Sequence, residues 1–475
     1  MMFGGEEWAS SAEDRSRTEV SKRRILVTNG WSAPMQTICG AIRLQAMLAE
    51  VPGTRFVCAV KLHYHLIAEI IRALETIFVE RRQPDKVIER TFKAHTKWGG
   101  RDRKLVAESV YECVRWWRWY WYLAGLPDAG HADLQAMTPQ AFWRVWGTWW
   151  WTVSGEVPPF IEMQGLTSEE LKRRASQKVA PAIRASIPDW LDEVGERSFG
   201  ERWAALRPAL NKPADVFLRT NTLKTDRDTL IRELTIEDVP VEAVKGLPDA
   251  LRLRERRNVF GTKAFRSGLF EVQDAASQHI APFCQVAPGM RVIDACAGGG
   301  GKSLHLAAMM KNKGRIIAMD VHQWKLDELR RRAARDGVDV IETRVIEGTR
   351  EIKRQAGAAD CVLLDVPCSG LGVLRRNPDA KWKLSLEEIQ RLTVLQGDIL
   401  RSHCRMVKKG GTLVYATCSL LPAENEDQIK SFLAERGDEW RLDEERWWSP
   451  EREGWDGFYA ARLVRSDAVV VAPME

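Results

Sequence analysis

Apolar residues recur at helical spacing through the front of the chain and in short strand-length bursts towards its end. In LIAEIIRALETIF, Ile67, Ile70, Ile71, Leu74 and Ile77 fall on one face of a 3.6-residue repeat, and KLVAESVYECVRWWRWYW continues it with Val106, Val110 and Val114. This predicts helices from about Leu62 to Leu126, followed by a Trp-rich stretch, FWRVWGTWWW, at 142–151. Near Pro188 the pattern changes. Val216, Phe217 and Leu218 suggest a strand and Asp226 onward a short helix, so that 205–285 reads as a small α/β unit. From Gly289, apolar strands (RVIDA, GRIIAMD, DCVLLD, GTLVYAT) alternate with amphipathic helices, which predicts a parallel sheet with helices on both faces. One long helix starts at Ser385-x-x-Glu388, a capping-box spelling, runs through Ile389, Leu392, Leu395 and Ile399, and is expected to close on Lys408-Lys409-Gly410-Gly411.

The 475 residues allow roughly three domains at about 150 residues each. The expected division is a leader over 1–58, a helical domain over 59–200, the small α/β domain over 205–285 and an α/β domain over 286–475. The start of the leader is polar and mixed in charge and reads as disordered, and Met35 and Met47 are candidate alternative starts. It has no apolar signal core, and no apolar run approaches the ~18 residues of a membrane span, so a cytoplasmic chain is expected. Nine Cys without a CxxC pair then argue against a disulfide framework or a structural zinc site. Cys39, Cys58, Cys113, Cys284, Cys361 and Cys404 read as small buried hydrophobes. A net charge of +6 permits nucleic acid as a partner without demanding it. Twenty Trp stand against six Tyr. Trp146, Trp149 and Trp150, and the pair Trp117 and Trp121, have the helical spacing of packing residues, whereas Trp119 and Trp143 are open to other directions.

Two motifs carry chemistry. Val292 to Ser303 is a strand, a glycine loop (Cys296, Ala297, Gly298, Gly299, Gly300, Gly301) and a helix start at Lys302-Ser303. Such a loop lets backbone amides approach a negative group. A P-loop is excluded, because that motif requires glycine where Cys296 stands. Asp320 ends the next strand at a distance that suits a ribose hydroxyl, so dinucleotide and adenosyl-methionine sites both remain open. In the second motif, LLDVPCSG and VYATCS each end a strand and deliver Cys368 and Cys418, with Asp365 beside the first, to the crevice outside the strand ends. A thiolate adding to carbon 6 of a pyrimidine turns carbon 5 into a nucleophile for a methyl cation. An acid near ring nitrogen 3 would stabilise the adduct, and a second thiol could assist its breakdown.

DACAGGGGKS, LLDVPCSGLGVLRRNPDAKWK and VYATCSLLPAENE resemble the Sun/Fmu (RsmB-like) family of RNA cytosine-5 methyltransferases, as do FEVQDAASQ and WDGFYAARLVR. The resemblance is strong from about 213 to 475. It is weaker over 60–200, which is similar to a NusB-like RNA-binding domain. It implies an α/β fold: a Rossmann-like class I methyltransferase core, the small α/β domain before it and an all-α N-terminal domain. It further implies S-adenosylmethionine as cofactor, RNA as substrate (ribosomal RNA favoured, transfer RNA open), Cys418 as nucleophile and Cys368 in product release. Cofactor contacts are implied for Cys296 to Lys302, Asp320 and Asp365, the last also at the target base. Two departures stand out: Gly298-Gly299 replaces the family's Ala-Pro, and Glu347 stands where the family has an Asp after its third strand.

Arg375, Arg376, Lys381 and Trp382, basic and aromatic together, are the expected RNA contacts. Arg330, Arg331, Arg332 and Arg335 read as a solvated helix face. No membrane contact is expected, and a monomer is. The competing readings are an RNA-binding assembly factor on the same scaffold, which leaves the paired thiols and Lys302 without use, and a nicotinamide oxidoreductase, which rests on the glycine loop and Asp320 alone.

Overall fold

A computed structural model of the chain describes residues 62–128, 132–133 and 135–466. The leader with its candidate starts, Cys39 and Cys58 lie outside these residues. No helix among the described residues is long and apolar enough to cross a membrane.

The front of the chain is helical: α1 (Tyr64–Phe78), α2 (Pro84–Ala94), α3 (Gly100–Arg115), α4 (Trp117–Leu123) and α5 (Pro139–Ser154), then shorter helices up to Ala209. The periodic residues face inward, and Ile67, Ile70, Leu74, Val106, Val110 and Val114 are fully buried. α5 begins with Thr138 accepting from the Ala141 amide and Pro139 in the first turn, and ends at Gly155 with φ +82°. Most Trp residues of this part are core. Trp117, Trp121 and Trp146 are buried, and so are Trp119 and Trp143, the first under the Arg184 guanidinium and the second stacked on Tyr64.

A four-stranded antiparallel sheet follows, β1 (Phe217–Thr220), β2 (Val241–Ala243), β3 (Ala250–Leu253) and β4 (Phe270–Val272), in the order β2-β3-β1-β4. Leu218, Leu251 and Phe270 pack there on Leu230 and Leu234 of α6 (Arg227–Ile236).

The remainder is a seven-stranded sheet: β5 (Arg291–Asp294), β6 (Arg315–Asp320), β7 (Ile341–Val345), β8 (Ala359–Asp365), β9 (Val407–Thr417), β10 (Trp440–Trp448) and β11 (Phe458–Arg465), ordered β10-β11-β9-β8-β5-β6-β7. Helices α7 (Gly301–Met309), α8 (Gln323–Asp336), α9 (Leu386–His403) and α10 (Glu426–Arg436) connect the strands. Buried side chains form separate clusters on the two faces of the sheet.

Three local expectations need correction. The sheet is parallel only from β7 to β9; β11 and β10 run antiparallel, because the link between them is too short for a parallel crossover. α9 ends at His403, well before Lys408–Gly411. Those four residues lie within β9, where the pairing with β8 shifts register and Gly410 takes φ +72°. Only half of the capping box forms: the Ser385 hydroxyl accepts the Glu388 amide, but the Glu388 carboxylate pairs with Arg391.

Candidate active site

The glycine loop leaves the carboxyl end of β5 and enters α7. Gly300 has φ +85°, and a Cβ there would strike Leu329 Cδ1, so a side chain would have to hold a left-handed backbone and displace Leu329. The Ala297 amide donates to the Met319 carbonyl and the Gly300 amide to the Ala297 carbonyl, both at 2.9 Å. Asp320 closes the loop from β6, accepting from the Gly298 amide at 3.0 Å and the His322 amide at 2.8 Å. The Gly299 carbonyl accepts from Arg332 at 2.6 Å. Cys296 is half-buried in the loop. Glu347 follows β7 beside the end of β6, where the Ile346 amide reaches the Asp320 carbonyl, and its carboxylate is exposed.

β8 and β9 are parallel neighbours with Asp365 opposite Ala416, so their C-terminal loops leave the sheet side by side. This brings together two cysteines fifty residues apart, with 3.3 Å between Cys368 Sγ and Cys418 Sγ. The Gly372 amide holds the Cys418 carbonyl at 2.9 Å, and a Cβ on Gly372 would collide with the Gly457 carbonyl. The hydrogen bond to Cys418, then burial, push the Cys368 thiol well above its usual range.

Lys302 Nζ reaches Asp365 Oδ2 at 2.6 Å and lies 5.2 Å from the centre of the Phe458 ring. Burial works against the Lys302 charge, but Asp365, Cys418 and Asp294 outweigh it and raise the ammonium above its ordinary value. Asp294, at the end of β5, is fully buried. Its Oδ2 accepts from the Ser303 hydroxyl at 2.6 Å while Oδ1 has no partner, and burial pushes the carboxyl up to about 6.

Sequence reasoning missed a carboxylate that ties the two cysteine loops together. Glu424 is fully buried. It accepts from the Ser369 amide at 2.7 Å, the Ser369 hydroxyl at 2.5 Å, the Ser419 hydroxyl, and Gln396 Nε2 at 3.0 Å. Ser369 and Ser419 each follow one of the paired cysteines. The signal was present in the repeated Cys-Ser and in the ENE spelling after the second, but nothing local says that one acid serves both.

Of the expected RNA contacts, Arg375 and Lys381 are buried in bonds to the protein, which corrects the reading for these two, whereas Arg376 and Trp382 are half-buried and Arg376 lines a cavity. Lys381 is fully buried, with Nζ on the Arg115 carbonyl at 2.7 Å and Asn211 Oδ1 at 2.6 Å. Arg375 is buried and donates to the carbonyls of Lys212, Pro213, Gly454 and Trp455. Arg376 pairs with Asp274 and Asp456, both at 2.5 Å, and Trp382 Nε1 donates to the Val114 carbonyl at 2.7 Å. These side chains fasten the segment after Cys368 to the helical and small α/β parts of the chain. The arginine run on α8 divides likewise. Arg330 and Arg331 are exposed, whereas Arg332 and Arg335 hold the buried Glu271 of β4.

Comparison with known proteins agrees with this architecture. Residues 283–464 match the family described as 16S rRNA methyltransferase RsmB/F, and residues 187–260 match the ferredoxin-like domain of RsmF/B-like methyltransferases. A probable ribosomal RNA small subunit methyltransferase B from Synechocystis is 38% identical over 278 residues, 58% of this chain and 62% of that protein's length. The ribosomal RNA small subunit methyltransferase B of Pseudomonas syringae is 33% identical over 302 residues, 60% of this chain and 67% of its own length. The crystal structure of PH0851 has a TM-score of 0.68 and 25% identity, covering 86% of this chain and 100% of that one.

Proposed function

This chain belongs to the RsmB/F family of 16S rRNA methyltransferases, and we propose that it methylates carbon 5 of a cytosine in ribosomal RNA through a covalent cysteine adduct. The observation that carries the reading is the pair of sulfurs 3.3 Å apart at adjacent strand ends, beside the Lys302–Asp365 pair. The methyl donor would be S-adenosylmethionine, held by Cys296 to Lys302 and by Asp320, with Glu347 at the next strand end. The cradle suits an amino-acid-like group. A Cβ on Gly298 would meet nothing within 4 Å, and the unpartnered Asp294 Oδ1 offers an acceptor for an ammonium. When bound, S-adenosylmethionine supplies the methyl cation.

The protein's own residues would act in sequence. The Cys418 thiolate forms a bond to carbon 6 of the cytosine, and the electron pair displaced onto the ring makes carbon 5 nucleophilic. With Cys368 as the donor, the hydrogen bond between the two sulfurs would favour the Cys418 thiolate. Ring nitrogen 3 takes up a proton as the electron pair arrives, relayed from the Lys302 ammonium through Asp365, which holds that edge of the base. After methylation, the carbon 5 proton passes to water, its bonding pair re-forms the carbon 5–carbon 6 double bond, and the carbon–sulfur pair returns to Cys418 as the thiolate. Cys368 assists this release. Reaching carbon 5 within structured RNA requires the base to leave its stack. The enzyme would act as a cytoplasmic monomer.

Cys418→Ala should abolish methylation, and Cys368→Ala should accumulate a covalent RNA–protein adduct on a denaturing gel. An active Cys418→Ala would overturn the nucleophile assignment. Free, fully methylated RNA at the parent rate from Cys368→Ala would overturn the release role. Bisulfite sequencing of total RNA from a deletion strain and its parent reads the target directly; a lost mark in transfer RNA alone would refute the ribosomal substrate.

A further inference from the structure

After Cys368, Arg375 and Lys381 are buried in bonds to the protein itself, so an anionic polymer needs other, exposed cations. Between Val79 and Lys104 the chain carries nine basic and four acidic residues, a surplus of five against a whole-chain net charge of +6. This segment is the α1–α2 turn, α2 and the start of α3. On it a groove of about 420 Å³ is lined by Arg81, Arg82, Gln83, Lys86, Val87 and Arg90, four cations and no acid. All four cations are exposed. Their pairings are loose: Arg82 to Glu80 and Lys86 to Glu89 are both 3.7 Å apart at the surface, and Arg90 has no ion pair among the described residues. Pairs of this kind are worth little and yield readily to a ligand phosphate.

The groove adjoins a second cavity that reaches the segment after Cys368. Through Arg81 and Gln83 it shares its wall with a cavity of about 610 Å³ that also touches Tyr111, Asn377 and Ser369, the residue after Cys368. Two bonds fix the junction: Arg81 Nη2 donates to the Lys383 carbonyl at 2.6 Å, and Lys383 Nζ to the Arg82 carbonyl at 2.8 Å. The cavity differs from the groove in chemistry. Its acids are already engaged, Asp379 by Lys383, Asp85 by Tyr111 and Glu388 by Arg391, which leaves a balanced polar wall suited to bases and sugars.

We propose that the groove formed by Arg82, Lys86 and Arg90 binds the phosphate backbone of the RNA strand flanking the target cytosine, and that this strand enters the active site along the adjoining cavity. The inference rests on the RNA methyltransferase reading and assigns its substrate a path. The test is a full-length chain carrying Arg82→Ala, Lys86→Ala and Arg90→Ala, titrated with deproteinised small-subunit ribosomal RNA across a potassium chloride series. Each lost phosphate contact removes roughly 0.7 from the slope of log K against log salt for a single strand, so the slope should fall by about 2. S-adenosylmethionine binding should be unchanged, and a chain with Arg82→Lys, Lys86→Arg and Arg90→Lys should keep the parent slope. A parent slope in the alanine variant would overturn the groove even if methylation is intact. A parent that binds RNA with this slope but transfers no methyl group would overturn the enzymatic reading and leave the groove standing.

Discussion

Removal of the Glu424 carboxylate should loosen the two cysteine loops together. It receives four donors in a site closed to water: the amide and hydroxyl of Ser369, the hydroxyl of Ser419 and the amide of Gln396. Glu424→Ala strands all four, and breaking a buried charged cluster from one side typically costs about 3–5 kcal/mol. Glu424→Gln is the sharper probe because it keeps the volume. Its carbonyl can still serve the Ser369 amide and Gln396. Its NH2, however, faces two hydroxyls that already accept backbone amides, Leu371 to Ser369 at 3.4 Å and Leu421 to Ser419 at 3.1 Å. Both hydroxyl protons lose their charged acceptor, for a cost of about 1–3 kcal/mol. Urea titration measures the loss as a shift in midpoint at unchanged slope. Both variants should also yield less covalent RNA adduct in a Cys368→Ala background while retaining cofactor binding. A Glu424→Ala chain within about 0.5 kcal/mol of the parent, with normal adduct yield, would refute the role given to this carboxylate.

Asp294, held at about 6 by burial, binds its proton more tightly folded than unfolded, where a value of about 3.9 applies. Stability should therefore be lost as pH rises from about 4 through about 6, by up to about 3 kcal/mol, and Asp294→Asn should remove that loss; urea midpoints of the two chains at pH 4.5 and 8 measure it, and a pH-independent difference would refute it. Gly300→Ala must adopt φ +85° and push Leu329 aside, at a cost of about 2–4 kcal/mol, and a cofactor titration should show weakened binding. Lys381→Met removes the donor to the Arg115 carbonyl and Asn211, so urea denaturation should register a loss of about 2 kcal/mol, while the salt slope for RNA stays at the parent value.

The amino-acid sequence alone was enough for the α/β core, the helical front, the glycine loop and the two cysteines at strand ends. Each depends on a repeat or a spacing within some ten residues, and backbone geometry converts such patterns directly into elements. Strand order was not among them: the structure sets β8 beside β9 and so puts Cys368 beside Cys418. For the Trp residues only part was legible: the helical spacing of Trp117, Trp121 and Trp146 predicted packing, while the burial of Trp119 and Trp143 came from the structure. What only the tertiary structure decided is the employment of long polar side chains. Arg115 and Arg375, or Lys381 and Arg115, stand more than 250 positions apart in sequence yet share a hydrogen bond. A lysine reads the same in a sequence whether it meets water, phosphate or a buried carbonyl, and only the packing of distant segments selects among them. For that reason Lys381 became a fastener, Glu424 a hidden tie between two loops, and Lys86 and Arg90 of α2 exposed cations.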